Sequence, residues 1–236
     1  MASPTTIRES LQQVRDKLVE AARQASRKPE EILLIGVSKT HPADAIREAH
    51  DAGLRHFGEN RVQEWEGKLS ALADLPATWH LIGHLQSNKA ARAAKAFHSI
   101  DSVDDWSLAQ RLDRAQAEKE SDKKLRVLIE VQMGGEETKS GVSEADLPEL
   151  AERVVTLAHL DFAGLMCIPP FRENPDEIRP FFATLRKLKE LLESRVGRPL
   201  PVLSMGMSHD FEAAILEGST EVRIGTAIFG TRPKNA

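Results

Sequence analysis

Ile7, Leu11, Val14 and Leu18 recur at helical spacing behind Thr6 and Glu9, a capping-box pair, so an amphipathic helix is predicted first. After the charged turn RKPEE the pattern changes: residues 32–37, ILLIGV, are continuously apolar, as a strand buried on both faces of a parallel sheet should be. That run stops at Ser38 and Lys39. Pro42 and Gly53 then bracket a helical pattern through Ala45, Ile46 and Ala49. Further strands are predicted at residues 54–57, 79–82, 97–100, 127–131, 160–166, 202–204 and 222–224, which with the first makes eight. Helical patterns separate them, with start signals at Ser102 with Asp105, at Ser143 with Asp146, and at Ser208 heading residues 210–217. The strongest such pattern is Ile178, Phe181, Phe182, Leu185, Leu188 and Leu192. Strict alternation with short connections and no linker predicts one α/β domain over residues 1–236 with an N-terminal helix. Eight units favour a closed (β/α)8 TIM barrel over an open sheet.

Composition agrees with that picture and removes several function classes. The chain of 236 residues is 41% hydrophobic and 29% charged, which suits a folded globular domain. A formal charge of -4 leaves no broad basic field for nucleic acid. The start, MASPTTIRES, holds no signal-like apolar stretch, and no window reaches the ~18 apolar residues of a membrane helix, so a cytoplasmic protein with no membrane partner is expected. Cys167, in the run FAGLMCI, is the only cysteine. It allows neither an intrachain disulfide nor a thiolate metal cage, and its expected role is that of a small buried apolar residue. Tyrosine is absent.

In a closed barrel, sites belong at the C-terminal ends of the strands, and the loops after strands seven and eight commonly take a phosphate. Lys39 ends the first strand, so its amine is expected at the barrel mouth, where burial would lower its pKa toward that of a nucleophile for an aldehyde. A lysine snorkelling from a strand end is the alternative. After the seventh strand come Ser204, Gly206 and Ser208, and after the eighth Gly225 and Thr226; hydroxyls and close-approaching backbone amides there would cradle a phosphate. An ordinary helix N-cap is the alternative for Ser208 alone. Closure puts strand eight beside strand one, and the cradle beside Lys39. Arg223 alternates with Val222 and Ile224 and is expected to point inward, toward either an internal carboxylate such as Glu130 or a ring nitrogen. An imine-forming lysine, a phosphate cradle and a ring-nitrogen donor are the parts of a pyridoxal 5'-phosphate (PLP) site. An arginine at the ring nitrogen keeps it unprotonated, which weakens the electron sink that amino-acid chemistry uses.

Two motifs are discounted. GGEETKSG at residues 134–141 resembles a phosphate-binding loop but lacks the glycine immediately before the lysine. His80 and His84 are four apart, yet that spacing aligns ligands on a helix and here it runs from a strand into a loop, so no metal is expected.

VSKT at residues 37–40, FGENRVQE at 57–64, WHLIGHLQSNK at 79–89, GLMCIPP at 164–170, SMGMSHDFEAAI at 204–215 and STEVRIGTAIFG at 219–230 resemble the pyridoxal phosphate homeostasis protein family, in order along nearly the whole chain. The resemblance implies a barrel like the N-terminal domain of alanine racemase, with PLP as a Schiff base on Lys39. It implies Ser208, Gly225 and Thr226 at the phosphate, Arg223 at the ring nitrogen, and Asn60, Met166 and Ser204 near the cofactor. His209 stands where the family pattern often carries an acidic residue. The implied function is PLP homeostasis, with PLP-dependent apoenzymes as recipients, in a monomer with no catalytic residues of its own. Racemases of this fold use a tyrosine from a second domain as their other base, and this chain has none. Two alternatives remain: a slow PLP-dependent amino-acid racemase or other PLP enzyme, and a lysine-dependent aldolase that binds no vitamin B6 form.

Overall fold

A computed structural model describes residues 6–119, 122–134 and 140–231. Eight parallel strands close in sequence order: β1 (Leu33–Val37), β2 (His56–Glu59), β3 (Thr78–Leu81), β4 (Ser99–Val103), β5 (Leu125–Val131), β6 (Leu160–Cys167), β7 (Val202–Ser204) and β8 (Glu221–Ile224). β8 pairs with β1 with Ile35 opposite Arg223 and Gly36 opposite Ile224, so the chain beyond Val37 and the chain beyond Ile224 leave the barrel side by side.

Each strand presents apolar side chains outward to the helices. Phe57, Leu81, Ile100, Val127, Leu165, Val222 and Ile224 are all fully buried or nearly so in that outer layer. The helices are α1 (Ile7–Gln24), α2 (Ala43–Asp51), α3 (Val62–Leu72), α4 (Ala90–Ala96), α5 (Trp106–Ala117), α6 (Leu147–Val154), α7 (Arg179–Val196), α8 (Phe211–Leu216) and the short α9 (Thr226–Phe229). One turn of helix after β8 is too short to cover a barrel face. α1 covers it instead, packing on α8, α9 and α2 through Leu11, Val14, Leu18, Ala21 and Ala22. The N-terminal helix therefore completes the outer ring. Its capping box is formed: Thr6 Oγ1 accepts from the Glu9 amide at 3.2 Å, and Glu9 accepts from the Thr6 amide at 2.8 Å.

Several expected boundaries move for local reasons. β2 starts at His56 rather than residue 54, because Gly53, at φ +92°, lets Leu54 N–H return to the Ala49 carbonyl and close α2. Pro42 is the residue before α2, not its first. Phe97 follows α4 and packs against Trp65, so β4 begins at Ser99. Ser102 lies in β4 and donates to the Gly83 carbonyl at 2.7 Å, while Asp105 caps α5 by accepting from the Leu108 amide at 2.8 Å. The Ser143/Asp146 start holds, with Ser143 Oγ accepting from the Asp146 amide at 3.1 Å just ahead of α6.

The barrel interior is layered. Leu128, Ala163, Met166 and Val202 form a small apolar plug. A chain of polar contacts also runs inside: Arg126 meets Glu221 and, at 3.5 Å, Ser99; Ser99 donates to Asp101; His80 contacts Asp101 at 3.3 Å and His56 at 3.0 Å. Burial, then the neighbouring His80, pushes His56 down to about 4. Both His80 ring nitrogens are thus engaged away from His84, whose Nδ1 instead meets Asp104 at 3.1 Å. Among the described residues no group of three or more His, Cys, Asp or Glu is placed to hold a metal, and no helix is long and apolar enough to cross a membrane. Most of the discounted loop motif, residues 135–139, lies outside the described residues.

Candidate cofactor site

A cavity of about 610 Å³ opens at the C-terminal mouth of the barrel. Six of the predicted residues line it together: Lys39, Asn60, Ser208, Arg223, Gly225 and Thr226. Strand ends bring them there. Lys39 lies two residues past β1 and Asn60 directly follows β2, while Gly225 and Thr226 directly follow β8.

The turn after β7 needs Gly206, which sits at φ +98° and where an added Cβ would come within 2.6 Å of the Ala214 Cβ. That tight turn lifts Ser208 over the start of the β8 loop. Ser208 Oγ accepts from the Gly225 amide at 3.2 Å and from the Ala227 amide at 3.3 Å. The simple N-cap reading of Ser208 is therefore replaced: Asp210 precedes α8 and takes the Met207 amide at 2.6 Å, and Ser208 ties the two predicted phosphate loops together.

Arg223 points inward, as alternation requires, and only 3% of it is exposed. Its guanidinium donates to Ser204 Oγ at 2.7 Å and to the Cys167 carbonyl at 2.8 Å. The expected internal carboxylate is not its hydrogen-bond partner. A guanidinium carries five N–H donors. Two are used in these bonds, and Arg223 also forms part of the cavity wall. Two predicted residues stand off the cavity. Ser204 is fully buried and acts on Arg223, and Met166 sits in the apolar plug, so neither lines the wall. Cys167 is fully buried and its thiol is pushed up to about 12, first by burial, which removes it as a nucleophile.

Three cavity residues carry chemistry that the strand pattern did not assign to the site. Glu130, in β5 on the wall opposite β1, is 5% exposed, and its Oε2 has no hydrogen-bond partner. Burial, then the nearby Asp104 charge, pushes its carboxyl up to about 7 against the pull of Arg223 and His84. His84 lines the cavity with its ring held by Asp104. His209 also lines the wall, and its Nε2 lies 3.1 Å from the Arg172 carbonyl and 3.0 Å from that of Glu173. Its ring meets that of Phe171 in a tilted contact, with centroids 5.3 Å apart. The signal for Glu130 was present, since it is the one charged residue in the otherwise apolar VLIEV.

The donor set suits an aldehyde that carries a phosphate and a ring nitrogen. A lysine amine, hydroxyls, loop backbone and a buried guanidinium share its wall. The family model for the alanine racemase N-terminal domain matches residues 10–233. A pyridoxal phosphate homeostasis protein of Pseudomonas aeruginosa is 48% identical over 98% of this chain and 98% of its own length. One from Aquifex aeolicus is 45% identical over 95% of this chain and 97% of its own. The solved structure of PipY from Synechococcus elongatus with PLP bound is 42% identical, has a TM-score of 0.79, and covers 90% of this chain and 100% of that one.

Proposed function

The chain belongs to the alanine racemase N-terminal domain family, among the pyridoxal phosphate homeostasis proteins, and from that premise we propose that it holds PLP as a Schiff base on Lys39 and serves its cellular supply. The observation that carries this reading is the convergence of Lys39, Ser208, Gly225, Thr226 and Arg223 on one cavity. Its support from outside the chain is PipY, 42% identical and solved with PLP bound.

When bound, the cofactor supplies a reactive aldehyde carbon, and the chain's residues decide what can be done with it. Lys39 provides the amine. Ser208, with the backbone at Gly225 and Thr226, holds the anionic end. Arg223, fixed by Ser204 and the Cys167 carbonyl, offers donors to the ring nitrogen and keeps it unprotonated. Asn60, on the same cavity wall, would lie near the cofactor. A site so arranged retains the cofactor and weakens its use as an electron sink, which is what a carrier requires. Cytoplasmic residence, a monomeric state and PLP-dependent apoenzymes as recipients complete the proposal.

Borohydride reduction of protein saturated with PLP, followed by peptide mass spectrometry, tests it. A pyridoxyl group is expected on the peptide holding residues 37–40 and is expected to vanish in Lys39→Ala. No adduct on that peptide refutes the reading. Pyridoxine 5'-phosphate, which lacks the aldehyde, should compete for the same cavity.

One observation favours a second reading. Glu130 gives the cavity a titratable group near neutrality on the wall facing Lys39, which could accept a substrate proton slowly. Incubating the loaded protein with amino acids in deuterated water separates the two: exchange at the α-carbon that is lost in Glu130→Gln would make the protein a slow enzyme.

A further inference from the structure

The turn that carries Lys39 is held from both sides by charged groups of the neighbouring βα unit. Lys68, on α3, puts its Nζ 3.0 Å from the Ser38 carbonyl, 2.9 Å from Glu59 Oε1 and 2.9 Å from Glu64 Oε1. Ser38 Oγ donates to the same Glu59 oxygen at 2.7 Å. On the other side of Lys39, the Thr40 amide donates to Glu64 Oε1. The residues immediately before and after Lys39 are therefore both tied to one three-residue cluster.

Thr40 pays for nothing locally in this arrangement: at φ +65° it sits in the left-handed region, which a β-branched residue enters only when its surroundings impose it. The cluster is also a poor device for stability. Glu59 is fully buried, the Lys68 side chain is 13% exposed, and Glu59 Oε2 has no partner. Buried ion pairs of this kind are often no better for stability than apolar residues of the same size, and fixing one geometry is the better-attested use. Burial pushes Glu59 up despite Lys68, whereas at Glu64 the Thr40 amide and Lys68 outweigh burial and its pKa is lowered.

We propose that Lys68, Glu59 and Glu64 are positioning residues that clamp the Ser38–Lys39–Thr40 turn so that the Lys39 amine meets an aldehyde in reacting geometry. The clamp touches neither the phosphate cradle nor Arg223, so it acts on covalent capture and not on recognition of the cofactor's other parts. This rests on the reading of Lys39 given above.

The test compares wild type with Lys68→Met and with Lys68→Met/Glu59→Gln. The double variant removes the carboxylate that the single variant leaves buried and unpaired, and so keeps the experiment available if the single variant does not fold. Two quantities are read on the apo proteins: the rate at which PLP is captured on Lys39, followed by borohydride trapping, and the affinity for pyridoxine 5'-phosphate, which fills the cavity without forming an imine. The clamp predicts a capture rate about tenfold or more lower, since misplacement on the ångström scale costs up to about a hundredfold, with the pyridoxine 5'-phosphate affinity within about twofold of wild type. An unchanged capture rate in a folded variant overturns the proposal. So does a parallel fall in both quantities, which would make the cluster a general support of the barrel mouth. Absence of capture in the wild type would instead overturn the assignment of Lys39 itself.

Discussion

Replacing Glu130 by glutamine should change how the stability of the apo protein depends on pH. In the folded chain this carboxyl is pushed up to about 7 from its ordinary 4.5, first by burial and then by Asp104, with Arg223 and His84 opposing. The folded state then holds a proton that the unfolded chain has lost anywhere between those values, so the free energy of unfolding falls as pH rises through that window and levels off above it. Integrated from pH 5 to pH 8, a displacement from 4.5 to about 7 amounts to about 2.5 kcal/mol of lost stability. Glutamine keeps the shape and has no such proton. Urea unfolding of both proteins at the two pH values provides the assay. The variant's stability relative to wild type should rise by about 2.5 kcal/mol between pH 5 and pH 8, or roughly 5–10 °C in melting temperature for a chain of this size. His56, whose proton affinity is depressed, works in the opposite sense, with stability lost as pH falls from 6.5 toward about 4, but it is common to both proteins and cancels in the comparison. A difference between variant and wild type that stays constant from pH 5 to pH 8 would refute the reasoning, because Glu130 would then titrate as an ordinary exposed carboxylate.

Other consequences are simpler to state. Ser208→Ala removes the oxygen that gathers the Gly225 and Ala227 amides and should weaken pyridoxine 5'-phosphate binding about fivefold, equivalent to about 1 kcal/mol; unchanged affinity in a calorimetric titration would take Ser208 out of the cradle. Arg223→Glu should alter the absorbance of the bound cofactor and speed its loss on dialysis, because a carboxylate stabilises a protonated ring nitrogen, and an unaltered spectrum would count against a contact there. Leu11→Ala, at a fully buried position of α1, should cost about 2–5 kcal/mol in urea unfolding, whereas a helix merely resting on the barrel would lose far less.

Much of this arrangement was legible because the outer layer of a parallel barrel is written in continuous apolar runs. All eight predicted strands exist, and Lys39, Ser208, Gly225 and Thr226 could be placed simply because they follow such runs. What the runs conceal is which distant residue a buried polar group meets. Ser204 carries a hydroxyl at the end of β7, only four residues before Ser208, yet it serves Arg223 and leaves the cavity wall to others. Glu64 and Lys68 stand four apart on one helix, and nothing in that spacing says that besides each other they meet the Thr40 amide and the Ser38 carbonyl. Nor does helical periodicity reveal that α1, the first element of the chain, fills the place left by the single turn after β8.

Three buried charges in and around the site share a mark. Glu59 in HFGE, Glu130 in LRVLIEV and Arg223 in EVRI are charged groups set inside short strands that are otherwise mostly apolar, and each is at most 5% exposed. A charge in such a place is destabilising unless a partner or a ligand compensates it. For Arg223 the partners are a hydroxyl and a carbonyl; for Glu59 a lysine and a hydroxyl meet one oxygen while the other has no partner; Glu130 likewise keeps one oxygen without a partner, at the wall of the cavity. What separates Glu130 from Glu59 is therefore place: Glu59 is held by Lys68 and Ser38 beside the Lys39 turn, whereas Glu130 lines the cavity.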